Sequence, residues 1–140
     1  MEKNPTWIPV VALALGRSDG RWLMHRRPAG KAHAGLWEFP GGKVDAGEHP
    51  VIALIREIEE EVSISLAPVD LHPAGFAQAE PGGHSAPIVI LLYDCRQWRG
   101  DPAALEGGEL GWFTPPEIAL LDKPPLDVEL ARQLFSKTRP

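Results

Sequence analysis

Apolar and polar positions along the chain fall into short blocks whose period changes. Trp7 to Leu15 is almost wholly apolar, and a second apolar stretch runs from Arg21 to Arg26, with Ser18-Asp19-Gly20 between them. An Asp-Gly pair between two apolar runs predicts two strands joined as a hairpin. The loop Pro28 to Gly35 then leads into an extended piece, Leu36 to Phe39, which delivers the glycine turn Phe39-Pro40-Gly41-Gly42. From Pro50 the period becomes helical. Val51, Leu54, Ile55, Ile58 and Val62 recur at i, i+3, i+4, i+7 and i+11, an apolar stripe along one face of a helix. Proline suits the first helical position, whereas His49 stands at the N-cap where Ser, Thr or Asp is usual, so this start is expected to be capped less well than it could be.

Beyond the helix, an extended segment around Ala74 to Ala79 precedes a loop containing Pro81-Gly82-Gly83, then the apolar strand Ile88 to Tyr93. A strand apolar on both faces is covered on both sides, which predicts an α/β fold with its sheet between helices. Trp112 and Phe113 indicate another short strand, and helical patterns follow near Pro116 to Leu121 and Leu126 to Phe135. At 140 residues, with no internal period of repeat length, one domain over residues 1–140 is expected.

The chemistry is concentrated in Arg56-Glu57-Ile58-Glu59-Glu60-Glu61. Like charges one helical turn apart repel by a few tenths of a kcal/mol per pair, roughly, so a cluster this dense points to a compensating cation. Glu57, Glu60 and Glu61, at i, i+3 and i+4, share one face within about 100° of arc, while Glu59 points elsewhere. Three carboxylates on a helix face reached from a glycine turn suit a hard divalent cation.

The whole segment reads Gly42, five residues, Glu48, seven residues, Arg56-Glu57-Ile58-x-Glu60-Glu61-x-Ser63-Ile64. It resembles the Nudix box, G-x5-E-x7-R-E-U-x-E-E-x-G-U with U a bulky aliphatic, at every defined position except the last glycine, where Ser63 stands. Length and element order resemble the MutT-like branch. The resemblance implies a Nudix α/β/α sandwich with a mixed β-sheet between helices. It implies a Mg2+ site, with Mn2+ as substitute, made by Glu57, Glu60 and Glu61 with the Gly41 carbonyl as a backbone ligand. Gly42, Glu48 and Arg56 are then the structural brace of the box. The general base stays open between Glu57 and Glu106, with Glu109 as a rival to Glu106. Substrate-binding positions carried over in the same way are Arg27 and Asp127, the latter standing where the best-known bacterial members have asparagine, and the aromatic rings of Phe39 and Phe76 are further substrate-binding candidates, suited to flank a base. An ionised aspartate only accepts hydrogen bonds and suits the N1–H and N2–H2 donors of guanine, whereas a protonated one can also donate.

The implied activity is hydrolysis of oxidised purine triphosphates such as 8-oxo-dGTP to the monophosphate and pyrophosphate. Two other readings stand beside it: a Nudix hydrolase of another nucleoside diphosphate derivative (a dinucleoside polyphosphate, a nucleotide sugar or a capped RNA end), and a non-catalytic nucleotide- or base-binding module of the same fold. A small nucleotide is the expected partner, and the chain is expected as a monomer or homodimer. The net charge of −5 counts against duplex nucleic acid. Ala12-Leu13-Ala14 imitates a signal-peptidase site, but the apolar part before it is too short. No run reaches the roughly 20 apolar residues of a membrane span, so a cytoplasmic setting is expected. The single cysteine, Cys95, excludes an intrachain disulfide and reads as the end of a core strand. His84 lies in a glycine-rich loop that could close over a site, and His25, His33 and His72 show no metal-ligand spacing. Ser63 at a left-handed helix end is expected to cost about 1 kcal/mol and to leave catalysis intact.

Overall fold

Strand β1 (Ile8–Leu15) is apolar on both faces, and the fold covers it twice. The computed structural model describes residues 7–32, 34–80 and 86–136. Val11, Leu13 and Leu15 point to one side and are buried with Ala53, Leu54, Ile58 and Val62 of helix α1 (Pro50–Val62). Ala12 and Ala14 point to the other side and are buried with Ile118 of α2 (Pro115–Leu120) and Leu130 and Ala131 of α3 (Pro125–Phe135). The two-residue period of a strand thus sorts large side chains toward α1 and small ones toward α3. Strand β2 (Trp22–Arg26) repeats the division, with Leu23 in the first core and Trp22 and Met24 in the second.

The layers between the helices are two sheets. In the first, the order is β4-β1-β6-β5, with β4 at Gly41–Lys43, β5 at His72–Gln78 and β6 at Ile88–Cys95. β1 runs parallel to β6 from Ile8↔Ile88 to Leu15↔Cys95, and antiparallel to β4 through Ala12↔Gly41 and Val11↔Gly42. The second sheet, β3-β2-β7, is antiparallel, with β3 at Trp37–Glu38 and β7 at Glu109–Phe113.

The expected hairpin of β1 and β2 does not form. The turn at Ser18-Asp19-Gly20 is there, with the Gly20 N–H donating to the Arg17 carbonyl and the Arg17 N–H to that of Arg21. Only the isolated bridge Gly16↔Trp22 links the flanks, because each strand then pairs in a different sheet. The glycine turn likewise proves to be a strand, β4. The Asp-Gly signal is local, and the partner of each strand is chosen by which core its side chains enter.

Helix α1 is better capped than its sequence suggested: the His49 side chain accepts a hydrogen bond from the Val51 N–H at 3.1 Å through Nδ1. At the other end Ser63 is left-handed, φ 68° and ψ 27°, and its N–H reaches the carbonyls of Ile58 and Glu59. Ser63→Gly is therefore expected to raise stability by roughly 0.5–1 kcal/mol, seen as a higher urea midpoint at unchanged slope. Cys95 is fully buried at the end of β6. No described helix is long and apolar enough to cross a membrane.

Candidate active site

The site is assembled where β4 meets the C-terminal half of α1. Both glycines of β4 stand where a side chain would meet other atoms, backbone at Gly41 and a carboxylate at Gly42. A Cβ on Gly41 would stand 1.9 Å from the Val11 carbonyl oxygen, and one on Gly42 would stand 2.2 Å from the Glu57 carboxyl carbon. Glycine thus lets the strand lie on β1 and lets a carboxylate lie on the strand.

Arg56 organises the acidic face. Its Nε and Nη2 donate to the two Glu48 oxygens at 2.8 and 2.9 Å, and Nη2 also reaches the Lys43 carbonyl at 3.2 Å. Glu48 Oε1 in turn accepts the Asp45 N–H at 2.9 Å. This bidentate pair ties the loop after β4 to the helix, and the guanidinium holds the Glu48 carboxyl down at about 2. The remaining nitrogen, Nη1, reaches Glu57 Oε2 at 3.2 Å and Glu60 Oε1 at 3.4 Å.

Glu61 is turned inward, with Oε1 accepting the Gly41 N–H at 3.3 Å. Burial pushes its carboxyl up to about 7; Glu38 and Glu106 push the same way, and His25 and the Gly41 N–H oppose them. Burial also raises Glu57, against Arg56, with Glu60 and Glu106 adding to the rise. Carboxylates from α1, β3 and the loop before β7 thus face one another in a poorly solvated place, the arrangement a bound cation relieves.

A recess of about 60 Å3 lies at this point, lined by His25, Arg27, Pro28, Lys31, Glu38, Glu61 and Glu106. About 10–15 Å3 of such space suffices for one water, so the recess has room for an ion with a few waters, not for a nucleotide. An open cleft of about 410 Å3 adjoins it, sharing Arg27 and Pro28 and bordered by Arg26, Ala34, Gly108 and Glu109, within the range of small-molecule sites. As posed, Glu57 and Glu60 are turned to Arg56 and Glu61 to Gly41, and no three acidic, histidine or cysteine side chains among the described residues converge as a metal cage. The donors themselves fit a hard cation: oxygens only, mutually repelling, and free to leave a cation and an amide for a metal.

The positions carried over from the resemblance divide. Glu106 lines the recess, whereas Glu109 lies on β7 and pairs with Arg26 at 3.1 Å. Arg27 borders both recess and cleft, with Nε 3.1 Å from Glu38 Oε2. The Phe39 ring, expected to flank a base, is only 3% exposed and belongs to the core on the α3 side. What Phe39 offers instead is its N–H, donated to Asp127 Oδ2 at 3.0 Å. Phe76 is 54% exposed on β5 and lines neither recess nor cleft. Its backbone is held by the Gln133 amide, which accepts the Phe76 N–H at 3.0 Å and donates to the Phe76 carbonyl at 2.8 Å. His33 and His84 lie outside the described residues.

Asp127, in the first turn of α3, is 5% exposed. Burial pushes its carboxyl up to about 7, with Glu38 adding to the rise and the Phe39 N–H, Arg27 and Lys123 opposing it. Well below the ordinary carboxyl pKa both folded and unfolded chains hold the proton and nothing is lost. As pH rises toward about 7 the unfolded chain releases its proton first, so stability falls, and above that it levels off. Asp127→Asn removes this decline. The variant should gain stability relative to the parent, on the order of a few kcal/mol, between about pH 5 and pH 8, as read from paired thermal melts.

Sequence reasoning missed His25 and Glu38. They are cross-strand partners on β2 and β3, with His25 Nδ1 3.9 Å from Glu38 Oε2. That is a charge contact, longer than a hydrogen bond, yet the Glu38 carboxylate raises the imidazole pKa against the opposing effect of burial. A two-residue strand carries no periodicity, so nothing in the sequence set Glu38 opposite His25.

The NUDIX domain model matches residues 6–134 of the chain. An 8-oxo-dGTP diphosphatase of Haemophilus influenzae is 34% identical over 131 residues, 94% of this chain and 93% of that protein. A CTP pyrophosphohydrolase of Escherichia coli is 37% identical over 123 residues, 88% of this chain and 87% of the other. Among solved structures, the MutT NUDIX hydrolase from Burkholderia pseudomallei superposes with a TM-score of 0.77 at 30% identity, covering 93% of this chain and 99% of that one.

Proposed function

Because the chain belongs to the Nudix family and is a MutT-type hydrolase of phosphoric anhydride bonds, we propose that its substrates are nucleoside triphosphates, oxidised purine forms such as 8-oxo-dGTP foremost. Water adds at phosphorus, the anhydride bond breaks, and a nucleoside monophosphate and pyrophosphate leave. The observation that carries this reading is that Glu57 and Glu61 lie against the glycines of β4, their carboxyls raised above the ordinary range by burial and by neighbouring carboxylates, Glu106 among them. Glu57, Glu60 and Glu61, with the Gly41 carbonyl, would hold Mg2+, or Mn2+ in its place. That ion supplies charge for the phosphate oxygens and acidifies water.

The chain's own groups do the rest. Glu106 is the general base that takes the proton of the attacking water. Arg56 stays with Glu48 as a brace, and Arg27, at the border of recess and cleft, meets the anionic substrate. The second oxygen of Asp127 reads the base. As an acceptor it suits N1–H and N2–H2 of a guanine edge. The same acceptor suits the N4 amino group of cytosine, and the similarity to a CTP pyrophosphohydrolase favours a pyrimidine triphosphate as the second reading. The proposed setting is the cytoplasmic nucleotide pool.

The test is release of pyrophosphate with Mg2+ from 8-oxo-dGTP, dGTP, CTP, the other dNTPs, a dinucleoside tetraphosphate and ADP-ribose, compared by kcat/KM. A preference for 8-oxo-dGTP over dGTP of about tenfold, or about 1.4 kcal/mol in the transition state, supports the sanitation reading. CTP ahead of both moves the function to the second reading, and turnover confined to the last two substrates overturns both.

A further inference from the structure

The segment that carries Glu106 is fixed on both shoulders. On one side the Leu105 N–H donates to the Glu61 carbonyl at 3.0 Å, and the Ala103 N–H to the Val62 carbonyl at 2.8 Å. These are carbonyls that the last turn of a helix leaves without partners inside it. On the other side the Gly107 carbonyl meets His25 Nε2 at 3.0 Å. A carbonyl only accepts, so Nε2 carries the proton and donates.

Gly107 and Gly108 have φ of 92° and 82°, a conformation that glycine adopts freely but does not enforce. The pair therefore needs an external hold. Gly108 is pressed against the same strand: a Cβ there would stand 2.8 Å from His25 Nε2 and 2.2 Å from the Arg26 carbonyl oxygen. His25 is itself 5% exposed on β2, its ring fixed by the strand and by Glu38 opposite.

We propose that His25 is a positioning residue, whose Nε2–H pins the Gly107 carbonyl and so holds Glu106 beside Glu57 and Glu61. The inference rests on the reading of Glu106 as the base. With Leu105 and Gly107 both anchored, the residue between them has little freedom; with the Gly107 anchor cut, the segment loosens and the Leu105 hydrogen bond opens more often. A misplacement of about 1 Å can cost on the order of 100-fold in rate, while binding of the nucleotide, which the other contacts govern, is left largely unchanged.

The closing experiment compares H25N and H25Q. Glutamine places an amide N–H near the position of Nε2, whereas asparagine is equally polar and stops short. H25N is expected to lower kcat by about tenfold or more with KM within about twofold, and H25Q to recover most of the loss. In an E106Q background, H25N should cost nothing further. Amide exchange supplies a readout independent of turnover: the Leu105 amide should exchange about tenfold faster in H25N and return toward the parent in H25Q. Unchanged Leu105 exchange in H25N overturns the proposal, as do equal kcat losses in both variants or an H25N loss that persists beside E106Q. Full activity of E106Q alone would instead remove Glu106 as the base, with the exchange data still judging the anchor.

Discussion

Glu57→Gln should lower turnover by about 1,000-fold while leaving the melting temperature within a few degrees of the parent. The two halves of that expectation have separate causes. Glu57 lies where burial disfavours its charge, so a neutral amide of the same shape relieves a cost. It also gives up an ion pair with Arg56 at 3.2 Å, but Arg56 keeps both contacts to Glu48. The helix is held by Leu54, Ile58 and Val62, which are fully buried and which the substitution leaves in place. What the amide cannot supply is an anionic oxygen for a hard cation. A companion observation is direct: Mg2+ should raise the melting temperature of the parent by binding the folded state, and the rise should shrink in Glu57→Gln. Parent rates in the variant, measured at saturating nucleotide, would sink the assignment of Glu57 to the metal site.

Gly41→Ala and Gly42→Ala should separate folding from catalysis, although the residues are adjacent. The new methyl of Gly41→Ala meets backbone, 1.9 Å from the Val11 carbonyl oxygen and 2.8 Å from the Ala12 Cα. Neither can move without parting β4 from β1, so a loss of about 3 kcal/mol or more is expected, visible as a large fall in the urea midpoint. The methyl of Gly42→Ala meets only the end of a side chain, the Glu57 carboxylate. That group can swing away, so stability should change by less than about 1.5 kcal/mol while turnover falls with the displaced carboxylate, about 100-fold. Equal stability in both variants would mean that β4 does not lie on β1 as described.

What the sequence revealed follows the range of the interactions involved. The stripe Val51 to Val62 and the acidic face are contained within one helix, and periodicity reports them directly, while the left-handed Ser63 at its end followed from the glycine that the resembled box has there. A buried first strand was legible from its apolar run, whereas covering on both faces was expected of Ile88 to Tyr93, which is mostly half-buried, and is met by β1 instead. The pairing of β1 was not: the Asp-Gly turn named β2 as its neighbour, whereas β4 and β6 take the two edges. The candidate site shows the same limit. Glu57 and Glu61 are fixed by helical spacing, but His25, Glu38 and Glu106 reach them across sheet register and a loop. Phe39 illustrates it within one residue, since its neighbours suggest a site while its ring lies in the core and only its N–H faces Asp127.

The parallel pairing of β1 with β6 also bears on how the chain is born. The ribosome delivers β1, the glycine strand and the acidic helix first, yet the edge of β1 that β6 will occupy stays open until Cys95 has been made. Contacts so distant in sequence form slowly, and an unpaired apolar strand edge is prone to wrong partners meanwhile. Truncated nascent chains ending before Ile88 should therefore bind chaperone and aggregate, although they already contain every residue of the helical carboxylate face.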